Sequence, residues 1–311
     1  MYRSSVYKSQ NGETEMLALY DRQLKRLGLE YEDRMVVTRF GATHVVIAGA
    51  RDAPPVVAVH GGNGNTPLNL SLFRPLVAGH RVYAPDTIGH PGKSAQTRLS
   101  PSDGSYGKWL VDVLDGLGLE SVPVVASSYG ASIVLQTAAM APQRVSGAAL
   151  CVPSGIAHGP ILPMMCRLVV PWMLYGLRPT RKRLLQAFAP MMTEVDEEFL
   201  EFTDAMLRHV KMELRGPREL SKKELSGFSS PTLVIAAQDD IFFPADRVLP
   251  RADEILPNLV VSESIAGKHL PSREMLRQMN EAIGLFLDKV GQGEATTRGA
   301  SNKGIEQNAR R

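Results

Sequence analysis

The chain has 311 residues, 44% hydrophobic and 22% charged, the proportions of a globular protein long enough to bury a large core. A net charge of +3, with lysine and arginine scattered along the chain, excludes the dense basic stripe of a nucleic-acid binder. Two cysteines, Cys151 and Cys166, both in apolar contexts, exclude a disulfide framework and favour a reducing compartment; with no apolar leader run at the N-terminus, a cytoplasmic protein is expected.

Residues 14–28 read as an amphipathic helix within an N-terminal extension, 1–34, outside the core. "MVVTRF" and "THVVIAG", separated by Gly41 and Ala42, read as an antiparallel hairpin. Short apolar runs follow at 55–60, 81–86, 122–127, 147–152, 232–237 and 259–264, and helical patterns lie between them at 104–117, 129–141 and 272–289. In the last of these, Met275, Met279, Ile283 and Phe286 recur at helical spacing. This alternation predicts an α/β protein with a mostly parallel eight-stranded sheet flanked by helices. From 155 to 229 no strand pattern occurs, so a helical cap is expected there, inserted between the core segments 35–154 and 230–290. Its most apolar stretch, 161–177, contains Arg167, Pro163 and Pro171 and is too interrupted for a membrane span. The basic run "RPTRKR" (178–183) reads as a solvated helix start. The polar, glycine-rich tail, 291–311, reads as disordered.

"VPVVASSYGASIVLQTAAMA" carries two adjacent serines at a strand-to-helix turn. A nucleophile held on so tight a turn needs small residues two before and two after it. Centred on Ser128 these are Ala126 and Gly130; centred on Ser127 they are Val125 and Tyr129, both too large. Ser128 is therefore the candidate, against the simpler reading that either serine caps the helix. A serine hydroxyl needs a base, and the base needs a carboxylate to fix its tautomer. "QDDIFFP" follows the strand at 232–237 and offers Asp239 and Asp240. The apolar "IFFP" after Asp240 could pack the loop beneath a site, which favours Asp240 as the acid and leaves Asp239 solvated. "GKHLP" places His269 after the last strand; the other six histidines are less well situated. "HGGNG" follows the strand at 55–60, and its glycines let the backbone approach a ligand, so the N–H groups of Gly62 and Tyr129 are the candidate oxyanion donors.

With "HGGNG", "ASSYG", "AAQDD" and "GKHLP" in this order, residues 35–290 resemble the α/β-hydrolase superfamily. "TRFGATHVVIAGARDAPPVVAVHG" and "VYAPDTIGHPGKS" resemble, more narrowly, bacterial carboxylesterases of the naproxen-esterase type. Two departures stand out: Ala126 where glycine is usual, and Lys268 where glycine is common before the histidine. The resemblance implies an α/β-hydrolase fold and a Ser128–His269–Asp240 triad that cleaves carboxylic esters through an acyl-enzyme, with no metal or organic cofactor. Dehalogenases and epoxide hydrolases of this superfamily use an aspartate nucleophile, so Ser128 counts against both. Met164, Met165, Trp172, Met173, Leu174, Phe188, Met191 and Met192 could line an apolar pocket in the cap, or pack its helices together. The expected partner is a small to medium hydrophobic ester, with no nucleic acid and no membrane span; no oligomeric state is indicated. Lactones, thioesters, amides, peptide N-termini and carbon–carbon bonds stay open as substrates. "HGGNG" loosely resembles the loop of proline iminopeptidases, and the carboxylates of "MMTEVDEEFLEF" (191–202) could hold an ammonium. A binding module without turnover is the remaining alternative.

Overall fold

The computed structural model describes residues 5–293. Eight strands form one sheet: β1 (Tyr31–Thr38), β2 (Gly41–Ala48), β3 (Pro55–Val59), β4 (Arg81–Pro85), β5 (Val122–Ser127), β6 (Val145–Cys151), β7 (Thr232–Ala237) and β8 (Leu259–Ile265). Their order is β1-β2-β4-β3-β5-β6-β7-β8. β2 runs antiparallel to β1 and β4, and the remaining pairs are parallel. β1 begins inside the expected 1–34 extension. Its first residues, Tyr31–Arg34, are exposed and largely polar, so they give no apolar signal, yet they pair in register with Ala48–Val45. β3, β5 and β7 read as unbroken apolar runs because both faces of the sheet are covered.

Helices α1 (Gln10–Arg26), α2 (Thr66–Leu72), α3 (Ser105–Leu117) and α4 (Tyr129–Met140) precede the cap. The cap holds α5 (Ile161–Met164), a π turn (Met165–Val169), α6 (Val170–Leu177), α7 (Arg181–Phe188), α8 (Glu197–His209) and α9 (Lys222–Leu225). After it come α10 (Ala245–Ile255) and α11 (Arg273–Gly291). One face of the sheet packs on α3, α4 and α10, around Trp109, Val113, Ile133 and Val248. The other packs on α2 and α11, around Leu70, Met279, Ile283 and Phe286. Each such side chain, fully buried, contributes roughly 1.5–3 kcal/mol. Gly291 closes α11, and most of the expected disordered tail, residues 294–311, lies outside the described residues.

The N-terminal segment does not stand outside the core, as the sequence suggested. α1 buries Tyr20 and Leu24 against the sheet and Met16 and Leu19 against the cap. Tyr7 forms an antiparallel bridge with Val210, just past α8, while its hydroxyl donates to Gly92 O and accepts from Gly92 N, both at 3.1 Å. The helix thus has two apolar faces and clasps cap to core.

Candidate active site

Ser128 stands between β5 and α4 with φ +50° and ψ −120°, a region rare for any residue but glycine. Such a conformation costs about 1–3 kcal/mol and persists only where neighbours enforce it. Here they do. Its N–H donates to Cys151 O at 2.9 Å, and its carbonyl accepts from Ala131 N (3.0 Å), Ser154 N (3.2 Å) and Ser154 Oγ (3.0 Å). A Cβ at position 130 would lie 2.6 Å from Val59 O and 2.7 Å from His60 O, which is why glycine follows two residues on. Ala126 is fully buried in β5, and its methyl group is accommodated there. Ser128 occupies the N-cap position of α4, but its hydroxyl makes no capping bond. That oxygen lies 3.1 Å from His269 Nε2 instead.

His269 Nδ1 lies 2.7 Å from Asp240 Oδ2. The Asp240 carboxylate is buried, and its Oδ1 accepts the N–H groups of Phe242 (2.8 Å) and Phe243 (3.2 Å). The same two rings stand 4.9 and 5.8 Å from the imidazole, so the "IFFP" segment orients acid and base together. Asp239 is exposed, and its N–H is bonded to Gly267 O. Ser128, His269 and Asp240 therefore lie in one continuous hydrogen-bonding chain, and Asp239 lies outside it.

Gly61 and Gly62 press against the elbow. A Cβ on Gly62 would meet Tyr129 Cβ at 3.2 Å, and one on Gly61 would meet Ser128 Cβ at 3.3 Å. Among the described residues nothing accepts the N–H of Gly62 or of Tyr129. The N–H of Asn63 is taken, at 2.9 Å, by His90 Nδ1. His90 is buried between His60, Tyr106 and Tyr129, and burial first, then the nearby His60, holds its pKa well below 6.5. It is therefore a neutral acceptor. His60 is likewise lowered by burial; its Nδ1 bonds Gly61 O at 2.7 Å and its Nε2 accepts Thr87 N–H at 2.9 Å. His90 is one of the six histidines that the sequence leaves less well situated. No spacing rule signals it, because its partner is a backbone N–H on another loop.

The cap is tied to both loops that carry candidate site residues. Asn63, at φ +53°, pairs its side chain with the backbone of Glu213 through Nδ2 to Glu213 O (2.9 Å) and Glu213 N to Oδ1 (2.7 Å). Leu270 N donates to Met191 O, Thr193 N to Leu270 O, and Lys268 N to Thr193 Oγ1. Lys268 Nζ reaches Ala189 O at 2.7 Å, so this departure from the common glycine links the histidine loop to the cap.

Ser128, His269, Gly62 and Tyr129 open onto a cavity of about 1020 Å³ between core and cap. Met164, Met165, Trp172, Phe188 and Met191 line it, whereas Met173 and Leu174 are exposed on the outside of α6 and Met192 is buried in a bridge to Leu270. Of the cap carboxylates, Asp196, Glu198, Glu213 and Glu219 line the cavity. Asp196 caps α8 through Phe199 N–H, and Glu198 lies 3.8 Å from Arg26.

The family model described as alpha/beta hydrolase fold matches residues 54–214, just over half of the chain. Carboxylesterase YbfK of Bacillus subtilis is 25% identical over 282 residues, spanning 86% of this chain and 92% of that protein. The uncharacterized carboxylesterase nap of the same organism is 24% identical over 299 residues, spanning 92% and 97%. The crystal structure of naproxen esterase from Bacillus subtilis superposes with a TM-score of 0.75 at 23% identity, covering 90% of this chain and 99% of that one.

Proposed function

Because the chain belongs to the alpha/beta hydrolase fold family, we propose that it is a serine carboxylesterase acting on small to medium hydrophobic esters through Ser128, His269 and Asp240. One observation carries the reading: a hydroxyl on a strained elbow, 3.1 Å from an imidazole that a buried carboxylate grips at 2.7 Å. Asp240 holds Nδ1 protonated, which leaves Nε2 as the acceptor facing Ser128 Oγ. As Oγ attacks the acyl carbon, its proton passes to Nε2, and the developing oxyanion lies against the Gly62 and Tyr129 N–H groups. Imidazolium then protonates the departing alkoxide. A water that gives its proton to the same nitrogen releases the acid and restores the serine.

The apolar cavity lining favours a hydrophobic ester. The aminopeptidase reading is disfavoured because Glu198 faces Arg26, Glu213 is paired with Arg215 at 2.6 Å, Glu219 lies 3.0 Å from His158 Nδ1, and Asp196 serves as a helix cap. Hydrolysis of p-nitrophenyl esters from acetate to decanoate, beside amino-acid p-nitroanilides, tests the proposal. Ester turnover that falls on the order of 10⁶-fold in Ser128→Ala is expected. Anilide cleavage without ester turnover, or ester turnover that survives the substitution, would overturn it.

A further inference from the structure

The helical segment 161–177 is apolar on two faces. Met164, Leu168 and Trp172 line the cavity. The opposite side carries Val170, Met173, Leu174 and Leu177, exposed at 51%, 65%, 47% and 81%. Ile161 and Met165 are exposed and also line the cavity, so the patch runs to the cavity mouth. The π turn keeps the stripe in phase: its wider turn absorbs one residue, so Val170 rather than Val169 follows Met165 along the exposed side. A helix apolar all round is ordinarily buried, and no other stretch of the described chain gathers as many exposed large hydrophobic side chains.

Charge identifies what covers it. From His158 to Thr193 the chain carries Arg167, Arg178, Arg181, Lys182 and Arg183 and no acidic residue. Arg181 pairs with Glu197, and Arg183 donates to the Leu174 carbonyl at 2.7 Å; Arg167, Arg178 and Lys182 are exposed. A second copy of this face would set cations against cations. An anionic lipid surface would receive the apolar stripe among its acyl chains and the cations among its headgroups. We propose that segment 161–183 docks the protein in the plane of an anionic lipid surface, with the cavity mouth facing the bilayer. This does not depend on the esterase reading, since binding alone reads it.

Co-sedimentation of the full chain with phosphatidylcholine vesicles, and with phosphatidylcholine–phosphatidylglycerol vesicles, tests it. Met173→Asp/Leu177→Asp and Arg178→Gln/Lys182→Gln accompany the unmodified chain; none of these side chains lines the cavity, and thermal melts check that each variant is folded. The full chain is expected to pellet with the mixed vesicles, far less with neutral ones, and less again as salt is added. The double aspartate variant should no longer pellet, and each lost cation should weaken binding about five-fold. Absence of vesicle binding, equal binding to both compositions, or binding unmoved by either variant would overturn the proposal. So would a sedimentation-velocity dimer that the aspartate variant dissociates, which would give the face to a second copy.

Discussion

Asp240 and Asp239 are neighbours in sequence with opposite environments, one buried on His269 and the other exposed. Asp240→Asn should therefore lower kcat by about 10⁴-fold with little change in KM, because an amide stabilises the wrong tautomer. Asp239→Asn should leave both constants near those of the parent; equal losses in the two variants would show that the acid is misassigned. His90 offers a second test. It accepts the Asn63 N–H and so fixes the loop that presents Gly62. His90→Phe should reduce kcat by about 10²-fold, as a displaced oxyanion loop would, with KM held. Its buried imidazole also has a folded pKa well below 6.5, so the unfolded chain binds the proton first as pH falls. Stability should consequently drop below pH 6.5, by up to about 1.4 kcal/mol per pH unit for each such group. His60, lowered by burial, acts in the same direction. His44 acts oppositely, because Asp86 and Asp33 on its two nitrogens overcome the burial that would lower its pKa. Urea midpoints measured across this range should show a flatter pH dependence in His90→Phe; an unchanged slope would mean that His90 already carries its proton in the fold.

At the scale of elements, the elbow depends on β5, α4 and the β3 loop meeting at Gly130. Gly130→Val would drive its Cβ into the Val59 carbonyl and should destabilise the fold by about 3 kcal/mol or more, read as a lowered urea midpoint. A variant with full stability and full turnover would refute this account of the turn. Spacing made this element legible, because the size restriction at 126 and 130 excluded Ser127. The strand positions were legible too, since each buried strand is a continuous apolar run. The polar start of β1 was not, because edge pairing at Tyr31–Arg34 needs only backbone groups. Nor was the division of the cap methionines. Met164 and Met173 belong to the same short helical stretch, and only the π turn and the helix's seat on the core decide which side each one takes.

For the molecule as a whole, the cap is built into the candidate active site through Asn63, Leu270 and Lys268, and to the core through the N-terminal clasp. The missing strand pattern at 155–229 predicted a cap but not these ties, which join segments far apart in sequence through backbone and side-chain polar groups that leave no periodicity. Tyr7→Phe removes one of them and should cost about 1 kcal/mol in urea unfolding, through loss of the hydroxyl shared by Gly92 N–H and C=O. A value within error of zero would show that the aromatic ring alone makes the clasp. The clasp also sets an order of events on the ribosome. α1 is synthesised before α8, yet Met16 and Leu19 find their cover only when α8 emerges. Until then a nascent chain carries an uncovered apolar helix, exposed to chaperones and to neighbouring chains. The clasp thus closes only after α8 has emerged, and long-range partnering of this kind slows folding.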